Sequence, residues 1–321
     1  MSAPRILFVK LSSLGDVIHH LPAVSDLAER WPGAHIAWVA EAAYCPLIAL
    51  HAAVKETFAT NLRGLRRNPL RPAAWGSIAS TRRALRAGRW DYVVDAQGLL
   101  KSALVTRFAH ASAFGLDRKS AREAIAARFY DVKIGVPRMM HAVERNRRLV
   151  AEVFGYAPAG APRYGLTASE APPPWAPAEP YVVLLHAASR ASKRWPEDRW
   201  IDLAARLAGR GYALVIPGGT ADERAAAARI AARVGGAMAA PEMTLLEAAA
   251  LLAHAQAVVG VDTGLTHLAV ALGTPTFGIY AATDPRLTGL HGGDSTNLGS
   301  AGATPTVDEV AAAMGLQDAA G

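Results

Sequence analysis

Four short segments of this chain combine residues able to do chemistry with small residues that let a ligand approach the backbone. Lys10-Leu11-Ser12-Ser13-Leu14-Gly15-Asp16 sets a carboxylate directly after a glycine. Gly15 permits tight or positive-φ geometry. Asp16 can then serve as a helix cap or as a carboxylate presented to a ligand, and the spacing leaves both readings open. Val261-Asp262-Thr263-Gly264-Leu265-Thr266-His267 has small residues where a helix should open. Free N–H groups and the positive end of the helix dipole make an anion site there, and His267, about one turn inside, could reach the same ligand. The competing reading is an Asp/Thr cap followed by a core histidine. Gly264, which lets a ligand close to the backbone, favours phosphate binding. In His186-Ala187-Ala188-Ser189-Arg190-Ala191-Ser192-Lys193-Arg194-Trp195-Pro196, Ser189 and Lys193 could meet a diphosphate, the lysine acting as a point charge. A solvated basic loop is the alternative. In Pro217-Gly218-Gly219-Thr220-Ala221-Asp222-Glu223, Glu223 could accept hydrogen bonds from two ribose hydroxyls or simply complement the first turn of a helix.

A basic segment follows Asn61, with Arg63, Arg66, Arg67 and Arg71, trailed by Arg82 and Arg83. A solvated face is its ordinary reading. It lacks the stacking aromatics and reader motifs of nucleic-acid binders, and a carboxylate- or phosphate-bearing acceptor suits arginine forks better. Several chemistries are missing. No G-x-G-x-x-G follows a strand, which weighs against a nicotinamide-dependent dehydrogenase, and no Walker A sequence is present. No two Asp residues stand at D-x-D spacing, so the acidic clamp for a metal-bound diphosphate is missing and no required metal is expected. Neither H-E-x-x-H nor a cysteine cluster points to zinc.

The elements that must position these loops follow from periodicity. Strands are expected at Ile6–Val9, Ile36–Val39, Tyr92–Asp95, Tyr181–His186, Tyr212–Ile216, Val258–Asp262 and Pro275–Tyr280. Helices are expected over Val17–Arg30, Leu100–Ala109 and Ala121–Tyr130, from about Glu197, Asp222, Thr244 and Thr263, and last from Thr306-Val307-Asp308-Glu309, which has capping-box spacing. Such alternation implies parallel sheets covered on both faces. Seven prolines between Tyr156 and Pro180 cannot donate to a ladder or continue a helix. The expected organisation is therefore residues 1–157, a Pro-rich linker over 158–180 and residues 181–321, with the last helix able to pack back on the first half. Two open α/β sheets imply a cleft, with ligands outside the carboxyl ends of strands.

Composition sets the bounds. The chain has 321 residues, 51% of them hydrophobic and 19% charged, with a formal net charge of +7; it is globular rather than disordered and suited to an anionic partner. The lone Cys45 excludes an intrachain disulfide and reads as a buried small hydrophobe. Leu245–Ala271 is interrupted by Glu247, His254, Gln256 and Asp262 and fails as a membrane span. The start of the chain lacks the features of a signal peptide. A cytoplasmic protein with at most peripheral membrane contact is expected.

Taken together, Lys10-Leu-Ser-Ser-Leu-Gly-Asp16, Asp95-Ala-Gln-Gly-Leu-Leu-Lys101-Ser, His141-Ala-Val-Glu-Arg145, Lys193-Arg-Trp-Pro196 and Val261-Asp-Thr-Gly-Leu-Thr-His267 resemble the lipopolysaccharide heptosyltransferases of glycosyltransferase family 9. The likeness is strongest to those that add the first heptose. It spans essentially the whole chain and implies an α/β fold of GT-B type, two Rossmann-like doubly wound domains facing across a cleft. It implies inverting transfer of heptose from ADP-L-glycero-β-D-manno-heptose to the first Kdo of Kdo2-lipid A, without a cofactor or metal, at the cytoplasmic face of the inner membrane. Asp16 matches the family's general base. Lys193 matches the lysine at the phosphates, Glu223 the acid at the nucleoside end and Met243 a residue of the adenine pocket. Asp262, Thr263, Gly264 and His267 match the heptose–phosphate motif. Ala188-Ser189 stands where the family often has two hydroxyl residues, so Ala188 could contribute only its backbone. Ser13, Arg63, Arg66, Arg67 and Lys101 are the candidate acceptor contacts, assigned from charge and position. Two rivals remain: a sister heptosyltransferase adding a later sugar, disfavoured by the Lys10–Asp16 loop, and a two-lobed nucleotide-sugar-binding protein without catalysis, which would need an export signal.

Overall fold

The computed structural model describes residues 3–67 and 72–316, with the side chains of residues 66, 67 and 72–74 outside the description. It resolves into two compact units, Met1–Thr167 and Ala168–Gly321. The first contains strands β1 (Arg5–Val9), β2 (His35–Glu41), β3 (Val54–Thr60), β4 (Tyr92–Asp95), β5 (Ala113–Leu116) and β6 (Val132–Ile134). Its helices are α1 (Leu14–Ile18), α2 (Leu21–Arg30), α3 (Cys45–Ile48), α4 (Leu62–Arg67), α5 (Pro72–Ala87), α6 (Leu100–Thr106) and α7 (Ala142–Phe154). The second contains β7 (Tyr181–Leu185), β8 (Ala213–Ile216), β9 (Ala237–Ala239), β10 (Ala257–Val261), β11 (Thr276–Tyr280) and β12 (Ser295–Gly299). Its helices are α8 (Glu197–Gly209), α9 (Ala221–Ala231), α10 (Leu245–Ala253), α11 (Gly264–Ala271), α12 (Pro285–Thr288) and α13 (Val307–Ala313).

Both sheets are wholly parallel, in the orders β3-β2-β1-β4-β5-β6 and β12-β11-β10-β7-β8-β9. Counted from the first strand of each unit, these are the same order, 3-2-1-4-5-6, that of Rossmann dinucleotide-binding folds. In each unit the chain winds outward in one direction and then returns to wind in the other. The switch points therefore fall between β1 and β4 and between β7 and β10. The central strands are continuous apolar runs because both faces are covered: Ile6, Leu7, Phe8 and Val9 in β1, and Val182, Val183 and Leu184 in β7, are buried.

Several elements depart from the sequence expectation. The helix expected over Val17–Arg30 starts at Leu14 and breaks at His19–His20, because Pro22 in the first turn of α2 has no N–H to continue a preceding turn. The stretch Ala121–Tyr130 forms only a 3-10 turn, Ala124–Phe129. The expected helix from Leu100 stops at Thr106. Strands β3, β5, β6, β9 and β12 are additional. Thr306 and Glu309 do form the expected reciprocal cap. The last helix packs within its own unit, burying Val307 and Val310 in the core with Trp195, Trp200 and Leu203. Cys45 is buried, and burial pushes its thiol pKa up.

Within the Pro-rich stretch, residues up to Thr167 hold to the first unit: Ala52 N donates to Gly165 O at 3.2 Å and Thr167 N to Leu50 O at 3.0 Å. Arg147 of α7 anchors the same stretch, donating to Ala159 O at 2.9 Å and Gly160 O at 3.2 Å. Its guanidinium also makes a two-pronged pair with Asp26 of α2, at 2.7 and 3.3 Å. The two side chains are 3% and 8% exposed, so removing one partner strands a buried charge. Arg147→Ala is expected to lower unfolding stability by about 3–5 kcal/mol, measured by denaturant titration; a loss below about 1 kcal/mol would show that the pair contributes little.

Candidate active site

In the first unit the loops leaving β1 and β4 interlock at the switch point. The Trp38 indole donates to Lys10 O at 3.0 Å, and Glu41 N donates to Leu11 O at 3.0 Å. Gln97, two residues past β4, accepts from Leu11 N at 2.7 Å and donates to Ser12 O at 2.5 Å. Lys101 on α6 donates to Ser12 Oγ at 3.1 Å. Gln97 is fixed in turn by Asp95, whose Oδ1 accepts from the Gln97 and Gly98 amides at 2.7 and 3.2 Å while Oδ2 accepts from Tyr130 OH at 2.7 Å. Burial pushes the Asp95 carboxyl up despite these bonds. It acts as a structural acceptor that holds the loop.

Asp16 lies in the first turn of α1, and Ser13 caps that helix. The Ser13 amide and hydroxyl donate to Asp16 Oδ2 at 3.0 and 3.3 Å, and Arg122 Nη1 reaches the same oxygen at 3.3 Å. Oδ1 accepts no hydrogen bond among the described residues, and the side chain is 26% exposed. The helix cap and the presented carboxylate are thus compatible: one oxygen is held and the other is available. Burial pushes the carboxyl up, but Lys10, Arg122 and the two Ser13 donors outweigh it and hold Asp16 below the ordinary aspartate value.

Positive charge gathers around this carboxylate. Arg145 of α7 is anchored through Ser120 O at 2.8 Å, and Arg138 donates to Ala121 O. Burial lowers the Arg145 pKa, and the nearby charges of Arg138 and Arg122 lower it further, so the three guanidiniums form one cluster. Sequence reasoning missed Arg122, Arg138 and the role of Arg145. Arg122 is 106 residues from Asp16, in a segment expected to be helical. Among the expected acceptor contacts, Ser13 and Lys101 stand at the Asp16 loop. Arg63 donates from its backbone to Glu41 Oε1 at 3.1 Å and from its guanidinium to Tyr44 OH at 2.8 Å, so its fork is engaged beside the end of β2. Arg66 and Arg67 lie in α4, but their side chains, like all of Arg71, are outside the described residues.

The second unit builds its switch point from the loops after β7 and β10. Asp262 Oδ2 accepts from Lys193 Nζ at 2.6 Å and from Thr283 Oγ1 at 2.7 Å, and Oδ1 faces His267 Nε2 at 3.6 Å. Burial pushes this carboxyl up; the neighbouring His267 and the bonds from Lys193 and Thr283 overcome that and hold it well below the usual carboxylate range. Lys193 arrives from a short 3-10 turn, Ala191–Lys193. Thr283, beyond β11, carried no sequence signal. Gly260 sets the depth of α11, because a Cβ there would lie 2.3 Å from Thr266 Oγ1, which instead donates to Val261 O at 2.7 Å. Thr263 stands at the N-cap position of α11 without a side-chain capping bond and Gly264 opens the helix, giving the helix mouth that the sequence implied.

Thr263 also lines a cavity of about 260 Å³ together with Leu265, Ala187, Ala188, Ser189, Gly218, Gly219 and Glu223. Gly218 lets α9 close this wall, since a Cβ would meet Arg224 N at 2.5 Å. Glu223 fulfils its structural reading: Oε2 accepts from the Gly219 and Thr220 amides at 2.9 and 3.0 Å. Its other oxygen accepts no bond among the described residues and remains for a ligand. Ser189 is exposed at the rim and Ala188 is buried. Met243, half-buried before α10, does not line this cavity. A second cavity of about 460 Å³, walled by His186, Trp195, Trp200, Asp222 and Arg229, shares the Ala187 and Glu223 walls and carries no other expected site residue. No group of three or more His, Cys, Asp or Glu among the described residues is placed to hold a metal ion.

Comparison with known proteins gives the class first. The chain superposes over 97% of its length, and 99% of the other's, on the structure of E. coli heptosyltransferase WaaC with ADP, with a TM-score of 0.89 and 35% identity. The same enzyme with ADP-2-deoxy-2-fluoro heptose matches with a TM-score of 0.86 over 97% of this chain and 99% of that one, again at 35% identity. Two all-parallel Rossmann-like sheets with this likeness define a GT-B glycosyltransferase. The model of glycosyltransferase family 9 (heptosyltransferase) matches residues 78–315. Lipopolysaccharide heptosyltransferase 1 of Pseudomonas aeruginosa is 42% identical over 298 residues, 92% of this chain and 84% of the relative. That of Salmonella typhimurium is 39% identical over 290 residues, 90% and 92%. The chain belongs to glycosyltransferase family 9.

The Asp262 cluster carries a signed pH prediction. A carboxyl held below its ordinary value contributes stability above that value and loses it as the pH falls through the lowered one. Lys193→Met is therefore expected to be less stable than wild type at pH 7, and the deficit narrows as the pH drops below the ordinary 3.8 and Asp262 becomes neutral in the variant. Unfolding measured at a series of pH values checks this; a deficit constant with pH contradicts the pairing.

Proposed function

We propose that this chain transfers L-glycero-D-manno-heptose from ADP-L-glycero-β-D-manno-heptose to the first Kdo of Kdo2-lipid A, with inversion, in the assembly of the lipopolysaccharide inner core. The second unit takes the donor. Glu223 Oε1 accepts the ribose hydroxyls, the Ala188 backbone and Ser189 flank the diphosphate, and Met243 borders the adenine. Lys193, released from Asp262 by a more highly charged competitor, pairs with the phosphates. Asp262, Thr263, Gly264 and His267 hold the heptose–phosphate end, using the mouth of α11 for the anion.

The first unit takes the acceptor and removes its proton. Ser13, Arg63, Arg66, Arg67 and Lys101 remain its proposed contacts, and the geometry adds Arg122, Arg138 and Arg145. Kdo sugars carry carboxylates, which guanidinium forks recognise in two-pronged fashion. The Kdo hydroxyl oxygen attacks the anomeric carbon and its proton passes to Asp16 Oδ1. The bond from that carbon to the phosphate oxygen breaks, and ADP leaves with the electron pair. Charge on the departing diphosphate is met by Lys193 and the α11 mouth, so the reading needs no cofactor or metal. An acceptor carboxylate that draws Arg122 away from Asp16 would also release the base from one of the charges that weaken it.

The observation that carries this reading is Asp16 itself: a carboxylate at the β1 switch point with one oxygen fixed, the other available, and surplus positive charge around it. Peripheral contact with the cytoplasmic face of the inner membrane belongs to the same reading, since the acceptor is a bilayer lipid. Among the described residues no helix is long and apolar enough to cross a membrane, and the net charge of +7 favours an anionic surface.

The test is mass spectrometry of Kdo2-lipid A incubated with ADP-heptose and the protein. Wild type is expected to add one heptose. Asp16→Asn should lower kcat by about 10²–10⁴, the range for general-base catalysis, with donor affinity within a few-fold of wild type. Turnover by Asp16→Asn at the wild-type rate removes Asp16 from the chemistry, and an unmodified lipid with intact donor refutes the acceptor.

A further inference from the structure

Lys10 directly follows β1, and its side chain disappears beneath the Asp16 loop; the residue is 6% exposed. Its ammonium donates to Ala96 O at 2.6 Å and to Asn146 Oδ1 at 3.1 Å. Asn146 is fixed in turn, donating to His19 O at 3.0 Å and to Ala142 O at 2.9 Å. A single α7 side chain therefore ties down both ends of the Lys10–His19 segment, and Asp16 lies between the two ties.

Both direct acceptors of this ammonium are neutral. A tie to two neutral oxygens does not need a charge, and burying one is unfavourable unless a counter-charge compensates. The groups facing it identify the compensation. Asp16 from α1 and Asp95 from the end of β4 favour the ammonium, with Asp16 the stronger influence; Arg122, ahead of the 3-10 turn, and Arg145 of α7 oppose it. His20, buried at the start of α2, is held neutral by burial and by the Lys10 charge. Burial lowers the Lys10 pKa to about 8, against the opposing pull of Asp16. The influence is mutual: Lys10 is the foremost of the charges that hold the Asp16 carboxyl down against burial.

We propose that Lys10 is a positioning residue for Asp16, its buried ammonium fixing the loop that carries the carboxylate and keeping that carboxylate ionised. The proposal rests on the reading of Asp16 as the base. Lys10 does not touch substrate. It acts through the carboxylate in two ways that can be separated, by shape and by charge, and the charge is the part that a merely structural tie does not require.

The test compares kcat against pH for wild type, Lys10→Met, Lys10→Gln and Lys10→Arg, with Asp16→Asn alongside and folding followed by circular dichroism. Lys10→Met removes the charge, so burial should dominate Asp16 and the acid limb of kcat should move up by about one pH unit or more. Lys10→Arg keeps the charge and should leave the acid limb in place. Lys10→Gln, which keeps a donor but removes the charge, should move the acid limb as Lys10→Met does. A folded Lys10→Met whose acid limb matches wild type overturns the proposal. So does a Lys10→Arg enzyme whose acid limb moves up with that of Lys10→Met, or that has no turnover, because shape alone would then matter. Should Lys10→Met not fold or not turn over, the acid limb of Lys10→Gln decides in the same way. Wild-type turnover by Asp16→Asn would instead sink the reading of Asp16 as the base, an outcome separate from any shift between the Lys10 variants.

Discussion

A carboxylate kept charged where burial would neutralise it is the interaction on which the rest of this molecule depends. In each unit the central strand ends in a loop that carries or meets such a group, and the surroundings supply cations and hydrogen-bond donors to hold it. For Asp16 these are Lys10, Arg122 and the Ser13 amide and hydroxyl. For Asp262 they are His267, Lys193 and Thr283. An isolated ion in such a position would take up a proton. The parallel sheets, the interlocked loops and the capped helices serve to keep each group close to its partners.

The two units use one topology for different ends. The shared strand order places a switch point beside the first strand of each, where loops diverge and leave room for a ligand. In the first unit the Asp95–Gln97 system fixes the loop through backbone groups, so the Asp16 carboxylate stands on a rigid support. One of its oxygens accepts no hydrogen bond among the described residues, as the proposed proton transfer requires. In the second unit Asp262 Oδ2 accepts from Lys193 and Thr283 and Oδ1 faces His267 Nε2 at 3.6 Å, so this carboxylate gathers a lysine and a histidine beside the mouth of α11. On the reading proposed above, the same physical device serves a base in one unit and a phosphate site in the other, and the difference lies in the partners that each carboxylate gathers.

Much of this was legible in the sequence for a definite reason. Buried parallel strands are unbroken apolar runs, so β1, β2, β4, β7, β8, β10 and β11 stood out, and the loops that follow them are where chemistry belongs. Asp16, Lys193, Glu223, Asp262 and Thr263 all fall in such loops or in the first helical turn after them. Edge strands were not legible. β6 and β9 have three residues each, and β12 mixes exposed and half-buried positions, so none shows a continuous apolar run. The guanidinium cluster was hidden because Arg122 meets Asp16, and Arg138 and Arg145 meet Arg122, only through tertiary structure, and the helix-like pattern that begins beside Arg122 folds as a 3-10 turn. Gln97 was visible as part of a motif, but its clamp on Leu11 and Ser12 spans about 85 residues and no local spacing encodes it.

The most direct measurement of the central claim is the ionisation of Asp16 in the ligand-free protein, read from the carboxyl carbon shift in NMR of aspartate-labelled protein and assigned by loss of the signal in Asp16→Asn. The account predicts a titration midpoint below the ordinary aspartate value of 3.8. A midpoint at or above that value would mean that burial prevails over the surrounding cations, and would contradict it.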